Sequence, residues 1–175
     1  MLYNRSLLKQ YVNAGKFVEE CFSKDLLSDS GGEVKFATAK EDMQQHIDLF
    51  WRANNANKWA SFDVKGMKKE TRSDKNVSPH ITWLELKNVN GDKGSLMGDA
   101  NYMVFEAQDV WYLVRRQELL NKLLGKMVDN TIYEENPGAD FKYYQRKNRK
   151  DLIVRVPFSF ITDNAVKTVK KTLQK

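Results

Sequence analysis

Hydrophobic and polar residues alternate along three segments in the middle of the chain: His46 to Trp51, Trp59 to Gly66 and Ile81 to Asn88. Each segment is rich in β-branched and aromatic residues with charges at alternate positions, which is the period of a strand with one buried and one polar face. A helical period marks Asn4 to about Leu27. There Leu7, Leu8, Tyr11, Val12, Val18, Phe22 and Leu26 fit an amphipathic helix, or a helix pair broken near Gly15, closed by the loop signal Ser28-Asp29-Ser30-Gly31-Gly32. Glu33 to Ala39 reads as a short edge strand and Thr38 to Asp42 as a turn or helical cap. Tyr102 to Glu106 and Val110 to Val114 predict a hairpin, followed by a helix over Gln117 to Met127 with Leu119, Leu120, Leu123 and Leu124 on one stripe. Asn88 to Gly94 and Asn136-Pro137-Gly138 are turns. Leu152 to Phe160 reads as a strand with Pro157 at an edge or at its end, and Thr162-Asp163-Asn164 as the cap of a final helix running to Leu173. This order of elements predicts an α/β (α+β) layer fold, a central mixed β-sheet flanked by helices, in a single domain of residues 1–175.

Strand geometry turns the first two segments into a candidate site. Successive side chains point to opposite sides of a strand, so His46, Asp48 and Phe50 share a face, as do Trp59, Ser61, Asp63 and Lys65. A hairpin centred between Asn55 and Ala56 sets Asp48 directly opposite Asp63. Carboxylates so placed are about 5 Å apart and repel. A divalent cation between them relieves the repulsion, and an all-oxygen pair suits Mg²⁺ or Mn²⁺. Lys65, on the same face, adds a compact positive charge, completing a set of groups suited to cutting a phosphodiester.

An acid, a spacer and then acid-x-Lys on neighbouring strands resembles the PD-(D/E)xK nuclease superfamily, over roughly Gln45 to Arg116. Matched residue by residue, Asp48 stands for the first acid, Asp63 for the second and Lys65 for the lysine, with Ile47 where a proline usually precedes the first acid. A second registration takes Asp63 as the first acid and Glu85-Leu86-Lys87 as the acid-x-Lys element, so either Lys65 or Lys87 is the catalytic lysine. The shorter connection favours the first, with Glu85 within reach of the same site. The helix before the sheet often supplies another acid in this family, and Gly15-Lys16-Phe17-Val18-Glu19 resembles its glycine-then-glutamate spacing; a solvated helix face is the simpler reading of Glu19. The resemblance implies a restriction-endonuclease-like fold and a Mg²⁺- or Mn²⁺-dependent endonuclease, with Asp48, Asp63, Glu85 and Glu19 as metal ligands and DNA as the expected substrate.

Charge adds to this picture. Twenty-nine Lys and Arg against twenty-three Asp and Glu leave a net +6, which favours polyanion partners through phosphate contacts. Lys68, Lys69, Arg72 and Lys75 crowd the polar segment after Lys65, while Arg146, Lys147, Arg149 and Lys150 follow Tyr143 and Tyr144, a mixture suited to phosphate contact and base stacking. A solvated loop and a charged hairpin tip are the plain alternatives. One cysteine and two distant histidines exclude a disulfide framework and a structural zinc site, and His46 reads as a hydrogen-bonded residue. No segment approaches the roughly 18 apolar residues that span a bilayer, and no run has signal-peptide form, so a soluble, cytoplasmic protein is expected. Other readings of the same residues are a catalytically inactive nucleic-acid-binding module and a protein–protein adaptor, and a homodimer stays open.

Overall fold

Helix α1 (Arg5–Ser30) runs without a break through Gly15, in the computed structural model of the protein, which describes residues 5–172, with side chains from residue 14 onward. The expected break is therefore absent. A mid-helix glycine costs only about 1 kcal/mol relative to alanine, and burial of Phe22 and Leu26 outweighs it. The side chains of Leu7, Leu8, Tyr11 and Val12 lie outside the described ones. Gly31, at φ 63°, stops the helix, its N–H bonded to the Leu27 carbonyl at 2.8 Å.

Strands β1 (Glu33–Phe36), β2 (Leu49–Arg52) and β3 (Ala60–Lys65) follow as an antiparallel meander. Between β1 and β2 lies α2 (Ala39–Gln45), opened by a capping box in which Thr38 and Glu41 satisfy each other's backbone N–H groups. The remaining elements are β4 (Ile81–Lys87), β5 (Tyr102–Glu106), β6 (Val110–Arg115), α3 (Arg116–Lys126), β7 (Ile132–Tyr133), β8 (Tyr143–Tyr144), β9 (Leu152–Pro157), α4 (Phe158–Thr162) and β10 (Ala165–Lys170).

The class is α+β, but the strands form two sheets rather than one. The larger is ordered β1-β2-β3-β5-β6-β10 and is mixed, since β5 runs parallel to β3; the smaller is ordered β4-β9-β8-β7. The chain thus leaves β3, builds β4 into the smaller sheet and returns to the larger one at β5.

Two cores follow from the two faces of the larger sheet. Phe62, Val64, Val104, Trp111 and Val169 pack with Phe22 and Leu26 of α1. On the opposite face Met103, Phe105 and Val114 pack with Leu84 and Leu86 of β4, Val154 and Val156 of β9, and the α3 leucines Leu119, Leu120 and Leu123. Leu124 is 49% exposed, so the apolar stripe of α3 is one residue narrower than expected. The expected final helix is also absent. Asn164 and its neighbours close α4, and Ala165–Lys170 pairs antiparallel with β6, burying Val169. β-branched Val166, Thr168 and Val169 suit that edge position, and tertiary pairing overrides the capping signal. Pro157 ends β9, an internal strand of its sheet. No helix among the described residues is long and apolar enough to cross a membrane.

Candidate active site

The β2–β3 ladder pairs Leu49 with Phe62, Phe50 with Ser61 and Trp51 with Ala60. One step further along this register, Asp48 comes opposite Asp63. Asp48 lies just before the strand, held by its N–H to the Phe62 carbonyl at 2.8 Å and by its Oδ2, which accepts the Val64 N–H at 2.6 Å. His46 does not join this face. It caps α2 in the left-handed conformation, φ 53°, with Nε2 2.7 Å from the Lys93 carbonyl oxygen, because the chain must turn there from helix into strand. Close backbone packing fixes the turn: a Cβ on Gly98 would fall 2.7 Å from the Gln45 carbonyl oxygen.

Alternation along β3 sends Phe62 and Val64 into the core under α1 and puts Asp63 and Lys65 on the opposite face. Asp63 is 1% exposed. Its Oδ1 meets the Lys65 ammonium at 2.6 Å, whereas its Oδ2 is buried without any hydrogen-bond partner, the one such side-chain atom among the described residues. Burial and then the Asp63 charge push the Asp48 carboxyl up to about 8, against the pull of Lys65 and the Val64 N–H. For Lys65, burial pulls the ammonium down, but Asp63 and Asp48 outweigh it and hold it above the ordinary lysine value. Glu19 of α1 belongs to the same electrostatic cluster. Burial, then the Asp42 charge, raises its carboxyl above the usual range, and it feels both Lys65 and Asp63.

A cavity of about 880 Å³ opens beside Lys65. One wall is the outer face of the smaller sheet, where register places Tyr144 opposite Ile153 and Ile153 opposite Glu85, with Trp83 two residues before Glu85. In β4 the buried Thr82, Leu84 and Leu86 face the core, so Trp83 and Glu85 are left to face the cavity. Glu85 therefore reaches the site from a different sheet, not from a strand beside β3. Lys87 does not: the register shifts between Glu85 and Lys87, and Lys87 is exposed outside the cavity lining. The cavity lining therefore holds Glu85 without Lys87.

The segment after β3 also lines the cavity, with Lys68, Lys69 and Arg72. It is tied down rather than free. The Trp83 indole N–H donates to the Lys69 carbonyl at 3.1 Å, the Ser78 N–H donates to the Lys68 carbonyl at 2.8 Å, and the Ser78 hydroxyl donates to Glu70 at 3.0 Å. Lys68 is open to solvent at the cavity, yet the protein around it and then the Lys65 charge lower its ammonium below the ordinary value. Arg146 completes the lining from the smaller sheet's side, its guanidinium gripped by Asp151, which is fully buried. Lys147, Arg149 and Lys150 lie outside the lining, in the turn beyond it.

Sequence patterning missed Trp83, Asn136 and the anchoring role of Asp151. The signal for Trp83 was present, because it shares a strand face with Glu85; only the sheet to which that face belongs was illegible.

Among the described residues no group of three or more His, Cys, Asp or Glu side chains is arranged to hold a metal ion. Mg²⁺ seldom demands one: it commonly takes one or two carboxylates and completes its octahedron with water and substrate phosphate. The partnerless Asp63 Oδ2 and the Asp48 carboxyl, whose proton affinity is raised by burial and by the Asp63 charge, fit that requirement, each being better satisfied by a cation than by the protein alone. No protein-family model, no curated protein and no solved structure matches this chain.

Proposed function

We propose that the protein is a metal-dependent nuclease that hydrolyses phosphodiester bonds, of DNA in the first instance, through a restriction-endonuclease-like site. The observation that carries this reading is the Asp63 carboxylate, buried with one oxygen on Lys65 and the other on nothing, facing a second carboxyl whose proton affinity is raised. Asp48 and Asp63 would hold Mg²⁺ or Mn²⁺, with Glu19 and Glu85 nearby as outer acids. A bound divalent ion supplies Lewis-acid stabilisation of the charge that builds on the phosphate and the leaving oxygen.

The chain's own residues do the rest. Asp48, once deprotonated, would be among the residues that hold the ion, its Oδ2 oriented by the Val64 N–H. Lys65, fully charged, holds Asp63 in place and presents its ammonium to the cavity, where it neutralises negative charge and orients the attacking water. Lys68, Lys69 and Arg72 draw the nucleic-acid backbone towards Lys65 by their charge. The same reading places the enzyme in the cytoplasm with nucleic acid as its partner.

A second reading, a nucleic-acid-binding module without catalysis, is favoured by one feature: Lys65 already neutralises half of Asp63 without a metal. Incubation of supercoiled plasmid and labelled single strands with Mg²⁺, Mn²⁺ or EDTA separates the two. The nuclease reading expects cutting that needs the divalent ion and disappears in Asp63→Ala. Cutting retained in that variant sinks the site assignment, and salt-sensitive binding without cutting in any metal supports the binding module.

A further inference from the structure

We infer that the cavity takes an unpaired strand, seating one or two extruded bases against Trp83 and Tyr144 while the backbone runs along the cationic wall to Lys65. The inference rests on the nuclease reading only in taking Lys65 as the place where the backbone is cut; the base-binding part stands on its own geometry.

Shape comes first. A volume of about 880 Å³ belongs to the range, about 300–1,000 Å³, of pockets that enclose a small-molecule ligand. That is the scale of nucleotides, whereas a duplex is a rod whose bases are stacked on one another inside it. Asp63 lies buried behind Lys65, so the backbone must come in to the carboxylates, which do not protrude to meet a duplex surface.

Chemistry points the same way. The lining carries five cationic side chains, of which Lys65 and Arg146 are held by the buried Asp63 and Asp151 while Lys68, Lys69 and Arg72 stand on the segment after β3, against the carboxylates Glu70 and Glu85. Cations so grouped suit a phosphate backbone. The same lining carries two aromatic rings from neighbouring parts of the smaller sheet, Trp83 and Tyr144, with centroids 5.9 Å apart and planes tilted by 49°. Both are only partly buried, and their tilt leaves ring surface that is not spent on mutual stacking. Cationic side chains and aromatic faces in one groove form the combination that binds single strands without reading sequence. In a duplex those base faces are covered, and a base reaches such a platform only by leaving its stack.

Placement supports function as well. Trp83 is not a loose surface ring, since its N–H holds the Lys69 carbonyl, so the ring and the cationic wall are positioned together. Arg146 is likewise fixed by buried Asp151 beside Tyr144. A site assembled from preset groups spends little ordering entropy when the strand binds.

The test is fluorescence anisotropy in EDTA, with fluorescein-labelled oligothymidine, oligouridine and a mixed-sequence duplex of equal length as probes. Wild-type protein is compared with Trp83→Leu, Trp83→Phe and Tyr144→Leu, and the same proteins are then assayed for cutting in Mg²⁺. The expected result is single-strand binding at least tenfold tighter than duplex binding. Trp83→Leu and Tyr144→Leu should each weaken it by about tenfold, while Trp83→Phe, which keeps a ring but loses the bond to Lys69, should stay within a few-fold of wild type. A better affinity for oligothymidine or for oligouridine identifies the natural strand, and either preference supports the inference. Equal affinity for duplex, or leucine variants that bind as wild type does, overturns it, even if the enzyme cuts. If no strand is cut while the aromatic-dependent binding persists, the nuclease reading fails and this one stands.

Discussion

Two buried aspartates each hold a cation that lines the same cavity, and they differ in how fully their oxygens are answered. Asp151 is completely buried, and both its oxygens are satisfied: Oδ1 accepts the Arg146 backbone N–H at 3.1 Å and Oδ2 takes the Arg146 guanidinium. Asp63 is equally hidden, but Lys65 answers only one of its oxygens. A buried carboxylate with every lone pair engaged stabilises the geometry around it, whereas one left half-answered costs free energy until something else arrives. The pair teaches what to look for in telling an anchor from a candidate site: Asp151 has both oxygens answered by Arg146, and Asp63 has one oxygen left over, which is where the proposed reading puts the metal.

This contrast breaks most sharply under substitution. Asp63→Ala should lower the cleavage rate on the order of 10³-fold, as loss of a preorganised charge-stabilising site does, while the melting temperature falls by only a few degrees, because the Lys65 charge it strands still has Asp48 beside it; turnover assays beside thermal melts check both halves. Asp151→Ala should behave in the opposite way. It strands the Arg146 charge and removes a backbone hydrogen bond, so stability should fall by roughly 3 kcal/mol, at the low end for breaking a buried pair because Arg146 remains partly solvated. Urea unfolding measures that loss, and the residual activity of the folded fraction should exceed that of Asp63→Ala.

Titration sharpens the comparison further. Asp48 has a folded-state value of about 8, well above its ordinary range, so the folded protein holds this proton more tightly than the unfolded chain. The stability it contributes is complete below about pH 4 and is lost as pH rises towards 8. Melting temperature should therefore decline by several degrees across that window, and Asp48→Asn should flatten the decline. Millimolar Mg²⁺ should restore stability at pH 8 in wild type, since ion binding favours the ionised carboxylate. A decline unchanged by Asp48→Asn contradicts the assignment of that proton.

The smallest effect lies on the cationic side. Lys69→Ala should weaken single-strand binding and reduce the slope of log affinity against log salt by about 1, while Lys147→Ala and Lys150→Ala, outside the cavity, should leave that slope unchanged.

How much of this was legible in the sequence depends on how local the signal was. The Asp48–Asp63 juxtaposition needed only alternation and a short connection, and the observed ladder keeps that register. The hairpin of β5 and β6 and the helix after it were legible for the same reason. What failed was non-local. Nothing in Ile81 to Lys87 says that the strand pairs with β9 rather than β3, so the presence of Glu85 and Lys65 in one cavity from two sheets, with Lys87 outside its lining, could not be read. Thr162-Asp163-Asn164 carries a capping composition that suits a helix start, yet the residues after it found a better partner in the edge of β6. His46, two residues before Asp48, fitted strand alternation until the turn out of α2 required a left-handed residue.

The central claim, that Asp48, Asp63 and Lys65 form a metal-dependent cutting site, is tested most directly by plasmid and single-strand cleavage with Mg²⁺, Mn²⁺ or EDTA, comparing wild type with Lys65→Ala and Lys87→Ala. We expect cutting that requires the divalent ion, survives Lys87→Ala and is lost in a folded Lys65→Ala protein. Cutting that persists without Lys65, or that disappears only with Lys87, contradicts the claim.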